Sequence, residues 1–399
     1  MFVLGVNISH HPSVCLLDDG EVVYYLEDDR LNRNKEVDWE YDSPMTCLTC
    51  VREYTEHVDH IIFCSYIKTM LLAFLSKPPK VEFDINLFNK ITKEGLPSKN
   101  HDDLTIDQVK KNLKLYGITY DEEHFLPEHH LFHASSAFYS SPFDEAAALI
   151  CDGGGSPLNE VIGNRESESM YYLSGNNIET IHKHHGICDQ YAAYSDSVLR
   201  VNDKVTISHS ISNAGLFNLF CGVCHLGSSV DAGAGRGMGV SPYGKVDDYP
   251  EEWFYYDEEG DIWVTDNDII LDTCRRVLCR PDFNPEVYKY NDELYDSLKV
   301  SFEDMSNLLA KVQLETKKHT IRLIKQLLDK TDTKNVVLSG GYFLNCVNNY
   351  HYIKEFPEIN FYVDPCAHDG GTAIGAAFYV WHHLLDNKQR YPLTSLFLG

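Results

Sequence analysis

Residues 2–27 read FVLGVNISHHPSVCLLDDGEVVYYLE. Three apolar runs, Phe2–Asn7, Ser13–Leu17 and Glu21–Glu27, are broken by polar corners, and Asp18-Asp19-Gly20 between the last two is a strong hairpin signal. The stretch predicts strand, turn, strand, turn, strand. The plan recurs from residue 146: a buried strand Ala146–Cys151, then strands Asn159–Asn164, Ser169–Leu173 and Ile178–His182, the last two flanking Ser174-Gly175-Asn176-Asn177. In each half a buried strand opens into a polar corner. Strand and helix then alternate through Asn335–Leu338, Asn345–Lys354, Asn360–Val363 and the small-residue helix Thr372–His382. A mixed α/β protein of two related lobes follows, residues 1–145 and 146–399, with a cleft where the strand-end loops face each other.

Outside these landmarks, Phe302 to about Asp329 keeps helical spacing at Leu309, Val312, Thr316, Leu323 and Leu327, with Lys311, Lys317 and Lys325 expected to be exposed. Residues 227–261, rich in Gly, Asp and Pro, read as an ordered loop with little regular structure. Residues 77–105, with Lys77-Pro78-Pro79-Lys80, read as an insertion in the first lobe.

A chain of 399 residues with 43% hydrophobic content suffices for two cores. Its net charge is −26, spread over clusters such as Asp247-Asp248 and Asp257-Glu258-Glu259. That field opposes tight non-specific binding to duplex DNA but leaves room for a nucleotide in a local basic groove. The simplest role of the acidity is solubility. Met1-Phe2-Val3-Leu4-Gly5-Val6 runs straight into polar residues, unlike a signal peptide, and no apolar run is of membrane-spanning length. A cytoplasmic protein without membrane association is expected. Its twelve cysteines suit reduced core positions. Cys47/Cys50 and Cys221/Cys224 are Cys-x-x-Cys pairs too far apart in the chain for the usual shared zinc site.

The chemistry centres on His129-His130-Leu131-Phe132-His133. Histidines four apart on a helix share one face, so His129 and His133 can reach one ion, with His130 pointing elsewhere as a supporting or packing residue. Alone, such a pair often only caps or packs a helix. Two carboxylates at glycine corners strengthen the metal reading: Asp152 before Gly153-Gly154-Gly155, and Asp369 before Gly370-Gly371. Nitrogen and oxygen donors without thiolate suit Fe(II), Zn or Mn. Leu338-Ser339-Gly340-Gly341-Tyr342-Phe343-Leu344-Asn345 reads as strand, Gly-Gly turn and helix start. Bare backbone there can approach an anion, although a tight strand-to-helix connection would look the same. Together Asp152, Gly153, Gly154, Gly341, Asn345 and Gly370 describe a nucleotide or phosphate cleft lined from both lobes. In the first lobe His10 can take a proton from an attacking hydroxyl. Arg30, Arg33 and Lys35 can meet phosphate, or simply balance Glu27, Asp28 and Asp29.

At this point the chain resembles the O-carbamoyltransferases of antibiotic and nodulation-factor biosynthesis. Their Gly-x-Asn-x-x-His is seen from Gly5 to His10, their acidic-Arg-x-x-Arg-x-Lys from Asp29 to Lys35, and their His-His-x-x-His-Ala-x-Ser-Ala-Phe from His129 to Phe138. Ser141-Pro142-Phe143-Asp144-Glu145-Ala146 follows, then Met238-Gly239-Val240-Ser241-Pro242-Tyr243-Gly244, then the Gly-Gly-x-x-x-Asn-Cys and Asp-x-Gly-Thr-Ala segments from Gly340 and Asp369. The resemblance implies duplicated actin/sugar-kinase-like (ribonuclease H-like) lobes, akin to the threonylcarbamoyl transferases of tRNA modification. It implies that carbamoyl phosphate and ATP give a carbamoyl-adenylate whose carbamoyl group passes to a hydroxyl. Fe(II) would be held by His129, His133, Asp152 and Asp369, and the nucleotide by Lys35, Gly341 and Asn345. The acceptor would be a small molecule or a hydroxymethylated nucleobase or nucleotide. Two departures bear on acceptor contacts: Pro12 stands near the family's acidic position, and Arg236 replaces a lysine before Met-Gly. Family members usually continue into a YrdC-like domain that makes the adenylate. This chain ends at Gly399, about where that domain would begin, so the expectation is either a truncation or a separate YrdC-like domain or protein that supplies the activated donor. A homodimer is the expected self-association. The competing readings are a kinase or ATP hydrolase of the same superfold, which would hold Mg²⁺ through carboxylates and phosphates, and a non-catalytic ligand-binding lobe.

Overall fold

The computed structural model of the protein describes residues 1–9, 11–33, 45–64, 101–126, 128–156, 164–187, 199–208, 210–227, 233–247, 249–257, 263–284 and 297–396. His10, Lys35, residues 77–100 of the expected insertion and most of the strand expected at 159–164 lie outside them.

The opening stretch forms β1 (Phe2–Asn7), β2 (Ser13–Asp18) and β3 (Glu21–Glu27). Asp19 and Gly20 have φ of 47° and 90°, the left-handed pair that a tight hairpin turn between right-twisted strands requires. β4 (His57–Cys64) and β5 (Thr119–Phe125) complete a sheet of order β3-β2-β1-β4-β5. β1 is antiparallel to β2 and parallel to β4, β2 is antiparallel to β3, and β4 is parallel to β5.

The second half repeats this plan. β6 (Glu145–Cys151), β7 (Asn164–Ser174) and β8 (Asn177–Ile187) form the antiparallel part, and β13 (Asn335–Ser339) and β14 (Asn360–Val363) the parallel part. β9 (Leu199–Asn202) and β10 (Val205–Ser208) extend the sheet beyond β8, and β11 (Phe254–Tyr256) pairs with β12 (Trp263–Thr265) in a separate ribbon. The order β8-β7-β6-β13-β14 matches β3-β2-β1-β4-β5 strand for strand and sense for sense. The fold is the duplicated actin/sugar-kinase-like α/β architecture.

Seven helices matter here: α1 (His101–Tyr116), α2 (His129–Ser140), α3 (Asn213–Val223), α4 (Asn267–Leu278), α5 (Phe302–Thr331), α6 (Cys346–Glu355) and α7 (Thr372–Phe378). Two of them change sides. α2, which follows the first sheet in the chain, packs on β6, β7 and β13 of the second. α7, which follows the second sheet, packs on β1, β2 and β4 of the first. They cross at Gly375, where an added Cβ would lie 1.8 Å from the Phe132 carbonyl oxygen. The layer between the sheets holds Phe132, Ala134, Phe138, Ala373, Ile374 and Ala377, facing Val3 and Ile62 on one side and Ala146 and Ile150 on the other. Separate cores lie outside it, one in each lobe.

Two expectations are corrected. The described part of residues 227–261 carries regular structure: a short helix at Ala234–Val240, a 3-10 turn at Ser241–Tyr243, and β11. Lys311 is buried rather than exposed. Its ammonium lies 3.0 Å from Glu315 and also donates to the Glu251 carbonyl, so burial is offset by a paired charge. Cys47 sits in the first lobe's core and Cys221 and Cys224 in the second's, so the two Cys-x-x-Cys pairs share no site. Among the described residues no helix is long and apolar enough to cross a membrane.

Candidate metal and phosphate site

The strand ends and the two exchanged helices bring His129, His133, Asp152 and Asp369 together, all buried, with one ligand atom from each within 4.8 Å of the others. His129 Nε2 is 3.2 Å from His133 Nε2, 3.5 Å from Asp152 Oδ2 and 3.4 Å from Asp369 Oδ1, and His133 Nε2 is 3.7 Å from Asp369 Oδ1. Four donors on one ion with bonds of about 2.0–2.2 Å lie roughly 3.0–3.5 Å apart, so these side chains stand close to metal-ligating separations. Two imidazoles and two carboxylates fit Fe(II), Zn or Mn, and the donor set contains no sulfur. The electrostatics point the same way. Burial opposes charge on His129, but the Asp369 and then Asp152 carboxylates outweigh it and push its pKa up to about 10. Burial and the Asp369 charge would raise Asp152, yet bonding to His129 and the charges of the two histidines hold it well below the usual carboxylate range. A proton on His129 thus occupies the place a cation would take.

The histidine helix and the Asp369 corner are each held by the opposite lobe. α2 starts at His129, and the N–H groups exposed there are taken by second-lobe side chains. His129 N donates to Ser156 Oγ at 2.9 Å and His130 N to Glu166 Oε2 at 3.4 Å. The buried Glu166 also accepts from Ser156 N and pairs with Lys183 at 2.7 Å, and Lys183 reaches Glu128 at 2.6 Å. Burial would raise the Glu166 carboxyl, but the Lys183 ammonium, aided by His130 and His185, holds it well below the usual range. His130 points away from the cluster, with Nδ1 2.8 Å from Ser169 Oγ.

Asp369 is gripped by the first lobe. Asn7 Nδ2 donates to the Asp369 carbonyl at 3.0 Å and Ser13 Oγ to the Gly370 carbonyl at 2.7 Å, while Gly370 N–H donates to His368 Nδ1. His368 Nε2 lies 3.3 Å from Glu27, and its ring stacks on His11 at 5.4 Å. Asn7 and Ser13 face each other in the β1–β2 ladder.

The glycine corners meet through Asp152. Its Oδ1 accepts the Gly341 N–H at 2.8 Å, and Oδ2 lies 3.5 Å from Gly154 N. Gly153 is exposed, with nothing within 4 Å of an added Cβ, so bare backbone faces open space beside the ligands. Gly340 takes φ 97° with its Cα hydrogens against the Cys151 carbonyl, a position closed to any side chain. Gly370 lies in the Asp369 corner. The Asn345 amide is committed to structure: Oδ1 caps α6 at Asn348 N and accepts from Gln313, and Nδ2 donates to Gln313 Oε1.

Arg165 was not legible as a site residue. Its Cδ and Nη1 lie 2.9 and 3.7 Å from where a Gly154 Cβ would stand, so the side chain runs across the triple-glycine loop. Among the described residues no carboxylate pairs with it, although the chain carries 60 acidic residues. Its only sequence signal was a cation in the polar run Arg165-Glu166-Ser167-Glu168 inside an otherwise apolar strand region. Glu166 shared that signal, a carboxylate at a buried strand position.

A protein named as uncharacterized protein sll1178 of Synechocystis is 26% identical over 97% of this chain and 58% of its own length. Nodulation protein NolNO of Sinorhizobium fredii is 22% identical over 98% of this chain and 49% of its own. The chain thus spans about half the length of these curated relatives. Full-length HypF, solved in a phosphate- and nucleotide-bound form, superposes with a TM-score of 0.52 at 15% identity, over 98% of this chain and 56% of that one. At that identity the likeness is one of fold. Residues 3–378 match the model described as carbamoyltransferase N-terminus, and the chain belongs to that family.

Proposed function

We propose that this chain carries out the transfer half of an ATP-dependent O-carbamoyltransferase, moving a carbamoyl group from carbamoyl-adenylate, made from carbamoyl phosphate and ATP, to an acceptor hydroxyl. The observation that carries the proposal is the convergence of His129, His133, Asp152 and Asp369 from both lobes beside bare glycine backbone. Family membership supports carbamoyl transfer, and the phosphate and nucleotide bound by HypF are in keeping with the donor. The four side chains would hold Fe(II), which when bound polarises a donor oxygen.

The chain's own residues then have separate tasks. Arg165 and the N–H groups of Gly153 and Gly154 bind the anionic phosphate, and the Gly341 and Gly370 corners and Lys35 hold the nucleotide. Asn345 serves by fixing the start of α6 behind the Gly341 turn. The acceptor oxygen attacks the carbamoyl carbon, the bond from that carbon to the phosphate oxygen breaks with its electron pair leaving on AMP, and His10 takes the hydroxyl proton. The acceptor is a hydroxyl of a small molecule or of a hydroxymethylated nucleobase or nucleotide. A YrdC-like domain or separate protein supplies the adenylate.

The test uses chain loaded with Fe(II) without oxygen, given carbamoyl phosphate, ATP and a panel of hydroxyl acceptors, with and without an adenylate-forming YrdC-like protein. Carbamoylated acceptor, detected by mass and lost in His133→Ala, is the expected result. Phosphorylated acceptor, or carbamoylation that persists in both His133→Ala and Asp369→Asn, would overturn the reading.

A further inference from the structure

We propose that His60, Glu122 and His124 form a second site for a borderline divalent ion, zinc foremost, separate from the interlobe cluster. β4 and β5 run parallel with His60 opposite Glu122 and Ile62 opposite His124. Side chains two apart on a strand share a face, so residues 60, 122 and 124 stand together on one side of the sheet. His60 Nδ1 lies 3.2 Å from His124 Nε2 and 3.4 Å from Glu122 Oε2. An ion with tetrahedral arms of about 2.0–2.1 Å sets its ligand atoms roughly 3.3 Å apart, so both separations measured from His60 match. One ligand atom from each of the three lies within 4.8 Å of the other two.

The surroundings suit a metal. His60 is buried and its strand is fixed by pairing with β1, where Val3 lies opposite it. His124 is half-buried and Glu122 exposed, so the site opens to solvent on the carboxylate side. Two imidazoles and one carboxylate leave one tetrahedral position for water, as in open rather than closed zinc sites. Without an ion, one of the two facing nitrogens must carry a proton for the other, and the contact is only a hydrogen bond. No residue is shared with the first cluster. Cys64, at the far end of β4, touches Thr372 next to the Asp369 corner, and His60 lies four residues back, about 13 Å along the strand. An ion here ties the edge strand β5 to the sheet just before the chain enters α2 with His129.

The test uses untagged full-length chain stripped with chelator and dialysed against zinc. His129→Ala/His133→Ala, which removes the first site, is expected to retain one equivalent. Adding His124→Ala or Glu122→Gln weakens that binding by about tenfold or more. In the wild-type background His124→Ala lowers bound zinc from two equivalents to one, with unchanged circular dichroism. A His129→Ala/His133→Ala chain that holds no zinc while folded, or zinc retention unaffected by both added substitutions, would overturn the proposal.

Discussion

Gly375→Ala tests whether the crossing of α2 and α7 sets the metal geometry. An added Cβ would stand 1.8 Å from the Phe132 carbonyl oxygen, 2.7 Å from its carbon and 3.0 Å from Ser136 N, all backbone atoms that cannot swing aside. Real Cβ contacts stay beyond 3.0 Å, so the helices must part by about 1.2 Å. Overpacking of this kind costs about 1–3 kcal/mol. With an unfolding entropy of about 2.1 cal/mol/K per residue over 399 residues, 3 kcal/mol lowers Tm by only about 4 °C. The effect on metal binding is larger in proportion. α2 carries His129 and His133, and α7 continues from the Asp369 corner, so parting them moves ligands relative to one another by several times the roughly 0.2 Å that a metal site tolerates. Isothermal titration with Mn(II) or Zn(II) is expected to show affinity at the interlobe site reduced at least about tenfold, beside a modest Tm shift in differential scanning fluorimetry. Wild-type Tm and wild-type affinity together would refute the link between crossing and site.

Because the carboxylates push His129 up to about 10, metal binding at pH 7 must displace about one proton, and affinity should rise about tenfold per pH unit toward pH 10. Calorimetry in buffers of different ionisation enthalpy reads the proton directly, and a pH-independent affinity would contradict it. The sign for the metal-free fold is opposite: His129 is raised above the ordinary imidazole value of 6.5, so its stabilisation is full below 6.5 and lost as pH rises through about 10, which urea melts across that window will register. Arg165→Ala should weaken binding of inorganic phosphate to the metal-loaded chain by about tenfold, with Arg165→Lys recovering only part because the fork is lost. Equal phosphate affinity in wild type and Arg165→Ala would remove Arg165 from the site. Glu166→Gln leaves Lys183 buried with Glu128 as its remaining carboxylate partner and should cost about 3 kcal/mol in chemical denaturation, whereas Glu179→Gln, on the exposed Lys204 pair, should cost under about 1 kcal/mol.

The sequence was most informative where the physics is local. A hairpin with Asp19-Gly20, a four-residue histidine spacing and acids at glycine corners each depend on neighbours within a few positions; the hairpin forms, and the two histidines and two acids lie together. The misreadings share a cause in distant partners. Lys311 has helical spacing that suits an exposed lysine, but Glu251 and Glu315 enclose it. Asn7 stood in a motif whose chemistry was assigned to histidine, while its amide binds the Asp369 carbonyl 362 residues away. Arg165 becomes notable only when its side chain is seen crossing Gly154.

A helix carrying His129 and His133 and a small-residue helix from Thr372 were legible, but not that each is covered by the other half's sheet. That exchange explains the arrangement of the site. The histidine helix, from the first half, is seated on the second sheet and capped by Ser156 and Glu166. The Asp369 corner, from the second half, is pinned by Asn7 and Ser13 of the first. Each half therefore holds a ligand-bearing element of the other, and the four ligand atoms meet only while both attachments are intact. Displacement of one sheet against the other would alter the separations of 3.4–3.7 Å between the histidines and Asp369, so an ion held by all four residues ties the two attachments together. By linkage, such an ion stabilises the two attachments by the same free energy with which their being intact strengthens its binding.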